Sequence, residues 1–339
     1  MTDAGMMDCK KALTEADGDM DKAVEWLRDQ GMGAAAKKAS KVAAEGAIGV
    51  KVEGNKAVIV EINSQTDFVA QNDKFKELLN TVVNHAFENN LADADAINNS
   101  EIDGQPFAEY LSLQIATIGE KLVVRRAALI VGDETTAVNG YVHSNAQNGV
   151  IIEAKCDSAK TAEAMTSVLK ELAMHAAAMA PKTLSYKDFD PVFVEEETKG
   201  RIVAIEKENE ELRRLGKTEK NIPQYISMSQ LTDEVLAAAE EALKAELKAE
   251  GKPEKIWDKI LPGKLARFIS DNTTLDQEQC LLDQKFVMDD SKTVLEYVQE
   301  KAKAAGGTAE VVHFVRLEVG EGIEVVEEDF AAEVAKQMA

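Results

Sequence analysis

The chain has 339 residues, a formal net charge of -22 and a hydrophobic share of 45%. That length can hold two or three domains with real cores, while the acidic balance argues against a binder of nucleic acid or anionic membranes, which would need a basic stripe. Three cysteines, Cys9, Cys156 and Cys280, lie far apart with no CxxC spacing, which supports neither a disulfide framework nor a zinc site and fits a reducing compartment. No apolar run approaches the ~20 residues of a membrane helix, and the polar, acidic N-terminus does not read as a signal peptide. The chain reads as cytoplasmic.

Two short helices are predicted between Thr2 and Gly31. Thr2 or Asp3 can cap the first, whose apolar stripe would be Met6, Cys9, Ala12 and Leu13, and Gly18 stops it. The second carries Met20, Ala23, Val24 and Leu27 and is predicted to end at Gly31. Two helices of this size cannot enclose a core by themselves, so a third partner is wanting. The basic cluster Lys10, Lys11, Lys37, Lys38 and Lys41 reads as a solvated helix face or as a docking patch. An Ala- and Lys-rich linker, 32–45, follows.

A mixed region then opens. Ile48, Val50 and Val52 alternate with small or charged residues, Gly54-Asn55 signals a turn, and Val58, Val60 and Ile62 alternate with Glu61 and Asn63, which predicts a hairpin. Phe75, Leu78, Leu79, Val82 and Val83 give a helical stripe. The pattern recurs, with a strand near Tyr141-Val142-His143, a turn at Asn148-Gly149, the strand Val150–Ala154 and a helix through Val168, Leu169 and Leu172. Each copy has a later strand that finishes on glycine, at Gly132 and Gly320. The expected fold is α+β, a duplicated strand-strand-helix-strand core, with subdomain N at 46–137 and subdomain C at 138–339. An inserted helical hairpin or coiled coil, 192–269, interrupts the second copy: Ile202, Ile205, Asn209 and Leu212 form a heptad-like seam on which Asn209 could fix register. Phe330, Val334 and Met338 predict a C-terminal helix, 327–339.

Only the first copy carries Thr66-Asp67-Phe68 after its second strand; the second has Asp157-Ser158-Ala159. A scaffold repeated twice with one special loop suggests that the loop was elaborated for function. On packing grounds alone Phe68 either folds back into the core or is a prong for a partner's pocket.

Other patterns mislead. Gly31-Met32-Gly33-Ala34-Ala35-Ala36 imitates a dinucleotide fingerprint but follows a helix rather than a strand. Gly216-Lys217-Thr218 imitates the end of a phosphate-binding loop, yet Glu211 stands where the earlier glycine is required. The four histidines are scattered, with no neighbours to complete a metal set, and no Ser, Cys or Thr has a recognisable nucleophile setting.

The run Glu61-Ile62-Asn63-Ser64-Gln65-Thr66-Asp67-Phe68-Val69-Ala70 resembles the signature of the elongation factor Ts family, and Thr2-Asp3-Ala4-Gly5-Met6-Met7-Asp8-Cys9-Lys10-Lys11-Ala12-Leu13 resembles its N-terminal signature less the opening residues. The resemblance runs from Thr2 to the C-terminus, except for the stretch from Glu208 to about Leu247. It implies that 1–31 is a ubiquitin-associated-like module without its first helix. It also implies a guanine-nucleotide exchange factor of translation elongation, a protein that does no covalent chemistry and needs no cofactor or metal. Its partner would be elongation factor Tu, GDP-bound and nucleotide-free, with no direct nucleic-acid or membrane contact. Thr66, Asp67, Phe68 and Val69 would bind that partner and disturb its Mg²⁺ and phosphate site. Further contacts are implied at Met6, Met7, Lys10, Ile118, Gly119, His143, Val287 and Met288. The enlarged arm leaves open a homodimer in the complex, contact with the partner's C-terminal domains, or neither. Two other readings stand beside this one: a holding protein without exchange activity, and a hydrolase using carboxylates that the sequence does not reveal.

Overall fold

The computed structural model describes residues 4–324. In chain order these form α1 (Met6–Glu15), α2 (Met20–Lys38), β1 (Glu45–Glu53), β2 (Lys56–Ser64), α3 (Asp67–Gln71), α4 (Asp73–Glu88), α5 (Ala94–Asn98), β3 (Glu101–Ile102), β4 (Gln105–Pro106), α6 (Phe107–Ile118) and β5 (Val123–Val131). Then come β6 (Thr136–Val142), β7 (Asn148–Cys156), α7 (Ala159–Met179), α8 (Pro191–Arg214), α9 (Asp233–Ala249), α10 (Trp257–Asp271), α11 (Thr274–Gln279), β8 (Lys285–Phe286), β9 (Asp289–Thr293), α12 (Val294–Ala304) and β10 (Ala309–Glu318). The helix expected at 327–339 lies outside the described residues. The chain divides into two units, one of 1–178 with 301–339 and one of 179–300.

The first unit is built on two antiparallel three-stranded sheets of matching order, β1-β2-β5 and β6-β7-β10. Each has a hairpin, a helix after its second strand and a third strand beside that second one, so the fold is α+β and the strand pattern repeats. β2 is buried along almost its whole length. Val58, Val60 and Ile62 face a core with Phe75, Leu78 and Val82 of α4, while Ala57 and Ile59 join Ile48, Ile130, Val138, Ile151 and Leu317 in a second core between the sheets. The alternation of Glu61 and Asn63 therefore does not mark a wet face; both are fully buried. Glu61 is neutralised there. Its carboxylate takes bonds from Arg125 Nη1 (3.2 Å), Arg126 Nε (2.5 Å) and the Gly320 backbone N–H (2.9 Å), tying β2 and β5 to the end of β10. Burial alone would lower the Arg126 pKa, but hydrogen bonds and charge from Glu61 and Glu321 raise it.

The turn expected at Asn148-Gly149 falls earlier, at 143–147. His143 N–H bonds Asn148 O (2.9 Å), and Ala146 takes the left-handed conformation at φ 57. Gly149 instead lies in β7, where a Cβ would sit 2.5 Å from Ile48 Cγ2. The glycine is there for close sheet packing, which periodicity does not distinguish from a turn.

The N-terminal helices have the partner that two helices lack. Ala12, Ala16, Ala23 and Leu27 bury against Leu113 of α6. α2 continues through Gly31 to Lys38 rather than stopping, because Gly31 presses on Leu113 (a Cβ would stand 3.2 Å from its Cδ2) and Ala34-Ala35-Ala36 sustain the helix. The caps expected at Thr2 or Asp3 lie outside the described residues; Gly5 is the N-cap. Met6 is 87% exposed and leaves the stripe to Cys9, Ala12, Leu13 and Ala16. Met20 is likewise exposed.

In the second unit α9 and α10 pair as a hairpin, with Lys264 ion-paired to Glu246 (3.1 Å) and Glu250 (3.5 Å). Asn209 does not set register. It is buried, its Nδ2 donates to Lys220 O (2.8 Å) and its Oδ1 accepts from Lys220 N (2.6 Å), so it pins the chain that leaves α8. Among the described residues no helix is long and apolar enough to cross a membrane.

Candidate functional site: an exposed helical turn after β2

The stretch after β2 is a single short helix rather than a loop. Thr66 is its N-cap, extended at φ -127 and ψ 153, and its hydroxyl accepts weakly from Val69 N–H (3.4 Å). Ser64 Oγ donates to Thr66 O (3.0 Å). The turn is fixed from outside by Glu120, just beyond α6. One carboxylate oxygen accepts from the Gln65 and Thr66 backbone N–H groups, both at 3.0 Å, and the other from Thr66 Oγ1 at 2.7 Å. Val69 and Ala70 pack on the core of α4, which points Asp67 and Phe68 outward, with Phe68 82% exposed. Of the four residues singled out in the signature, Asp67 and Phe68 are thus exposed, Thr66 caps the turn that carries them, and Val69 is an inward anchor.

Several of the other expected contact residues converge here. Ile118 ends α6 against the α4 core, and Gly119 follows in the left-handed conformation at φ 91. The short loop Gly119–Lys121 is clamped to the end of α2: Lys38 Nζ donates to Gly119 O, and Lys121 Nζ donates to Ala39 O (2.7 Å) and Lys41 O (2.8 Å). Lys38 thereby has a structural partner. His143 lies just past β6, exposed, with its Nδ1 3.1 Å from the Tyr141 hydroxyl. The turn that it begins borders a groove of about 620 Å³, lined by Ser144, Asn145 and Gln147 on one side and by Asp67, Ala70 and Gln71 of α3 on the other. The second copy's hairpin and the first copy's extra turn therefore share one concave surface.

Met6, Met7 and Lys10 lie on the outward face of α1 and reach the turn only indirectly, through α2, α6 and Glu120; Met6 is 87% and Met7 73% exposed. Val287 and Met288 belong to the second unit. They form the tip between β8 and β9 and are about half exposed, at 51% and 52%.

Among the described residues no group of three or more His, Cys, Asp or Glu could hold a metal ion. His85 is enclosed, with Nε2 2.7 Å from Ser100 Oγ and Nδ1 accepting from Asn89 Nδ2 (3.2 Å), and burial lowers its pKa. The second unit does hold carboxylates that the sequence could not show. Burial raises Asp276 and pushes Asp283 up to about 6, with the Asp276 charge adding to the latter. Asp276 is 1% exposed and bonded to Met228 N–H (2.6 Å), so it is walled in from substrate.

Glu120 lies in no recognisable motif of the sequence. Its only signal there is an acid directly after the helix-ending Ile118-Gly119 pair.

The family model described as Elongation factor TS matches residues 65–222 and 220–321. Elongation factor Ts of Sulfurovum sp. (strain NBC37-1) is 92% identical over 339 residues, covering 100% of this chain and 96% of that protein. Elongation factor Ts of Campylobacter curvus is 53% identical, with 99% of this chain and 96% of that protein covered. That of Helicobacter hepaticus is 51% identical, with 100% and 96% covered. These likenesses run through the turn, both sheets and the helical insertion, and the chain belongs to the elongation factor Ts family.

Proposed function

We propose that this protein is a guanine-nucleotide exchange factor in translation elongation, acting on elongation factor Tu in the cytoplasm without covalent chemistry of its own. The observation that carries this reading is Phe68, an aromatic side chain 82% exposed on a helical turn fixed by the bonds of its cap. Burying a Phe side chain is worth about 2–3 kcal/mol, which this fold forgoes and a partner can recover. An exchange factor must bind the nucleotide-free partner better than the GDP form, since only differential affinity shifts an equilibrium. A rigid turn with Phe68 as wedge and Asp67 beside it suits that task. The ring would enter between helices of the partner's nucleotide domain, and the carboxylate would disturb the polar groups that orient the Mg²⁺ ligands. The groove beside α3, together with Gly119 and His143, would extend the same surface, while Met6, Met7 and Lys10 on α1 and Val287 and Met288 in the second unit would add contacts elsewhere.

The test is stopped-flow release of a fluorescent GDP from elongation factor Tu. The expected result is strong acceleration by this protein and loss of most of it, roughly a hundredfold, in Asp67→Ala/Phe68→Ala. Tight binding without acceleration would leave a holding protein in its place; no binding would overturn the reading altogether.

A further inference from the structure

Glu120 belongs to neither signature run, yet among the described residues it makes more bonds to the turn than any other side chain outside it. We infer that Glu120 is the positioning residue of the Thr66–Val69 turn, fixing the pose in which Asp67 and Phe68 meet the partner; its kinetic part rests on the exchange reading above.

Three observations carry this. First, the carboxylate takes three donors at the junction itself, the N–H groups of Gln65 and Thr66 and the Thr66 hydroxyl. Among the described residues those two amides have no other acceptor, and without it the capping hydroxyl keeps only its weak contact with Val69 N–H (3.4 Å). Bonds to a charged acceptor are about twice as strong as neutral ones. Second, Glu120 is mounted on a clamped loop. Lys38 holds Gly119 O from one side, and Lys121 reaches back to Ala39 O and Lys41 O from the other. α2, whose other end packs with α1, thereby reaches the turn through one carboxylate.

Third, the second copy shows what the same place looks like without this device. There the loop before β10 brings Gly307 against Asp157 and Thr161 (a Cβ would lie 2.4 Å from Asp157 Oδ1), and Thr308 O accepts from Asp157 N–H at 3.1 Å. The helix then starts at once, with nothing projecting. In the first copy the acid sits on the loop instead, and the junction is held away by the length of the Glu120 side chain. That spacing leaves room for α3.

Affinity is spread over many contacts, while displacement of nucleotide depends on where Phe68 points. Loss of Glu120 should therefore reduce the maximal rate of GDP release and leave half-saturation nearly unchanged. Glu120→Ala is expected to lower the maximal rate roughly ten- to a hundredfold, with half-saturation moving less than about threefold. Glu120→Gln should recover most of the rate, since its carbonyl oxygen can accept both amides and its NH₂ can donate to Thr66 Oγ1. In the Asp67→Ala/Phe68→Ala background, Glu120→Ala should cost almost nothing further.

Amide hydrogen exchange on the same full-length variants reads the positioning directly. Gln65 and Thr66 should lose protection in Glu120→Ala while Ile59 and Val60 of β2 keep it. Unchanged protection at Gln65 and Thr66 would overturn the positioning role, whatever the kinetics show. Lost protection with undiminished release would overturn its importance for exchange, provided that the Asp67/Phe68 variant is slow. A fast Asp67/Phe68 variant would sink the exchange reading and with it the kinetic half of this inference, and hydrogen exchange alone would then decide the positioning half.

Discussion

In both copies of the sheet the second strand runs into a helix, and the loop before the third strand comes back over that junction. The two junctions are built in opposite ways. After β7, Asp157 and Ser158 lead straight into α7: Ser158 Oγ accepts from Thr161 N–H (3.2 Å), and Gly307 closes over Asp157 and Thr161. After β2 the carboxylate comes from the returning loop, and a five-residue helix fits between strand and α4 with Phe68 outward. One junction is sealed and the other is propped open. On the exchange reading proposed above, a duplicated scaffold keeps one copy for stability and lends the other to recognition, with the change confined to a few residues at the junction.

If the copies are one folding body, a group shared by both sheets should matter more than a group at either junction. Glu61 is that group. Glu61→Gln leaves Arg125 and Arg126 without their buried counter-charge and is expected to cost about 3 kcal/mol, read by urea denaturation as a lower midpoint at unchanged slope. A loss below about 0.5 kcal/mol would mean that the two sheets are not coupled through this cluster.

The sealed junction is tested by Gly307→Ala. A methyl group there meets Thr161 Oγ1 at 2.2 Å and Asp157 Oδ1 at 2.4 Å. Overpacking of this kind costs about 1–3 kcal/mol, and GDP release by the folded protein should remain normal. Impaired release would show that the second junction also takes part in exchange and would break the contrast.

Much of this architecture is legible in the sequence. Gly54-Asn55 between alternating runs marks the β1–β2 hairpin, and the echo of Val58–Ile62 in Val150–Ala154 marks the duplication. Thr66-Asp67-Phe68 marks the odd junction because its counterpart lacks it. What escapes is tertiary. The alternation at Glu61 does not reveal its burial, because burial on both faces of β2 follows from the second sheet, which local alternation cannot encode. Gly31 reads as a helix stop and Gly149 as a turn because a missing side chain looks the same whether it frees the backbone or admits a neighbour, here Leu113 and Ile48. Glu120 escapes because its bonds reach back more than fifty residues to Gln65 and Thr66.

The smallest expected effect is also the most local. The Thr161 hydroxyl holds the Asp157 carboxyl below its ordinary 3.8; desolvation opposes it, and the Thr308 and Ser158 contacts add to the lowering. A carboxyl lowered in the folded state contributes stability above its unfolded pKa and loses it as pH falls through the folded value. The sealed junction should therefore stay intact on acidification until below pH 3.8. NMR titration of Asp157 should give a midpoint under the ordinary value, and Thr161→Val should move it upward while leaving the Thr66 turn and GDP release alone. A midpoint at or above the ordinary value would mean that the hydroxyl does not hold the acid. The second junction would then be closed by the Gly307 backbone alone, and the exchange of roles between acid and loop that distinguishes the two copies would reduce to a difference in packing.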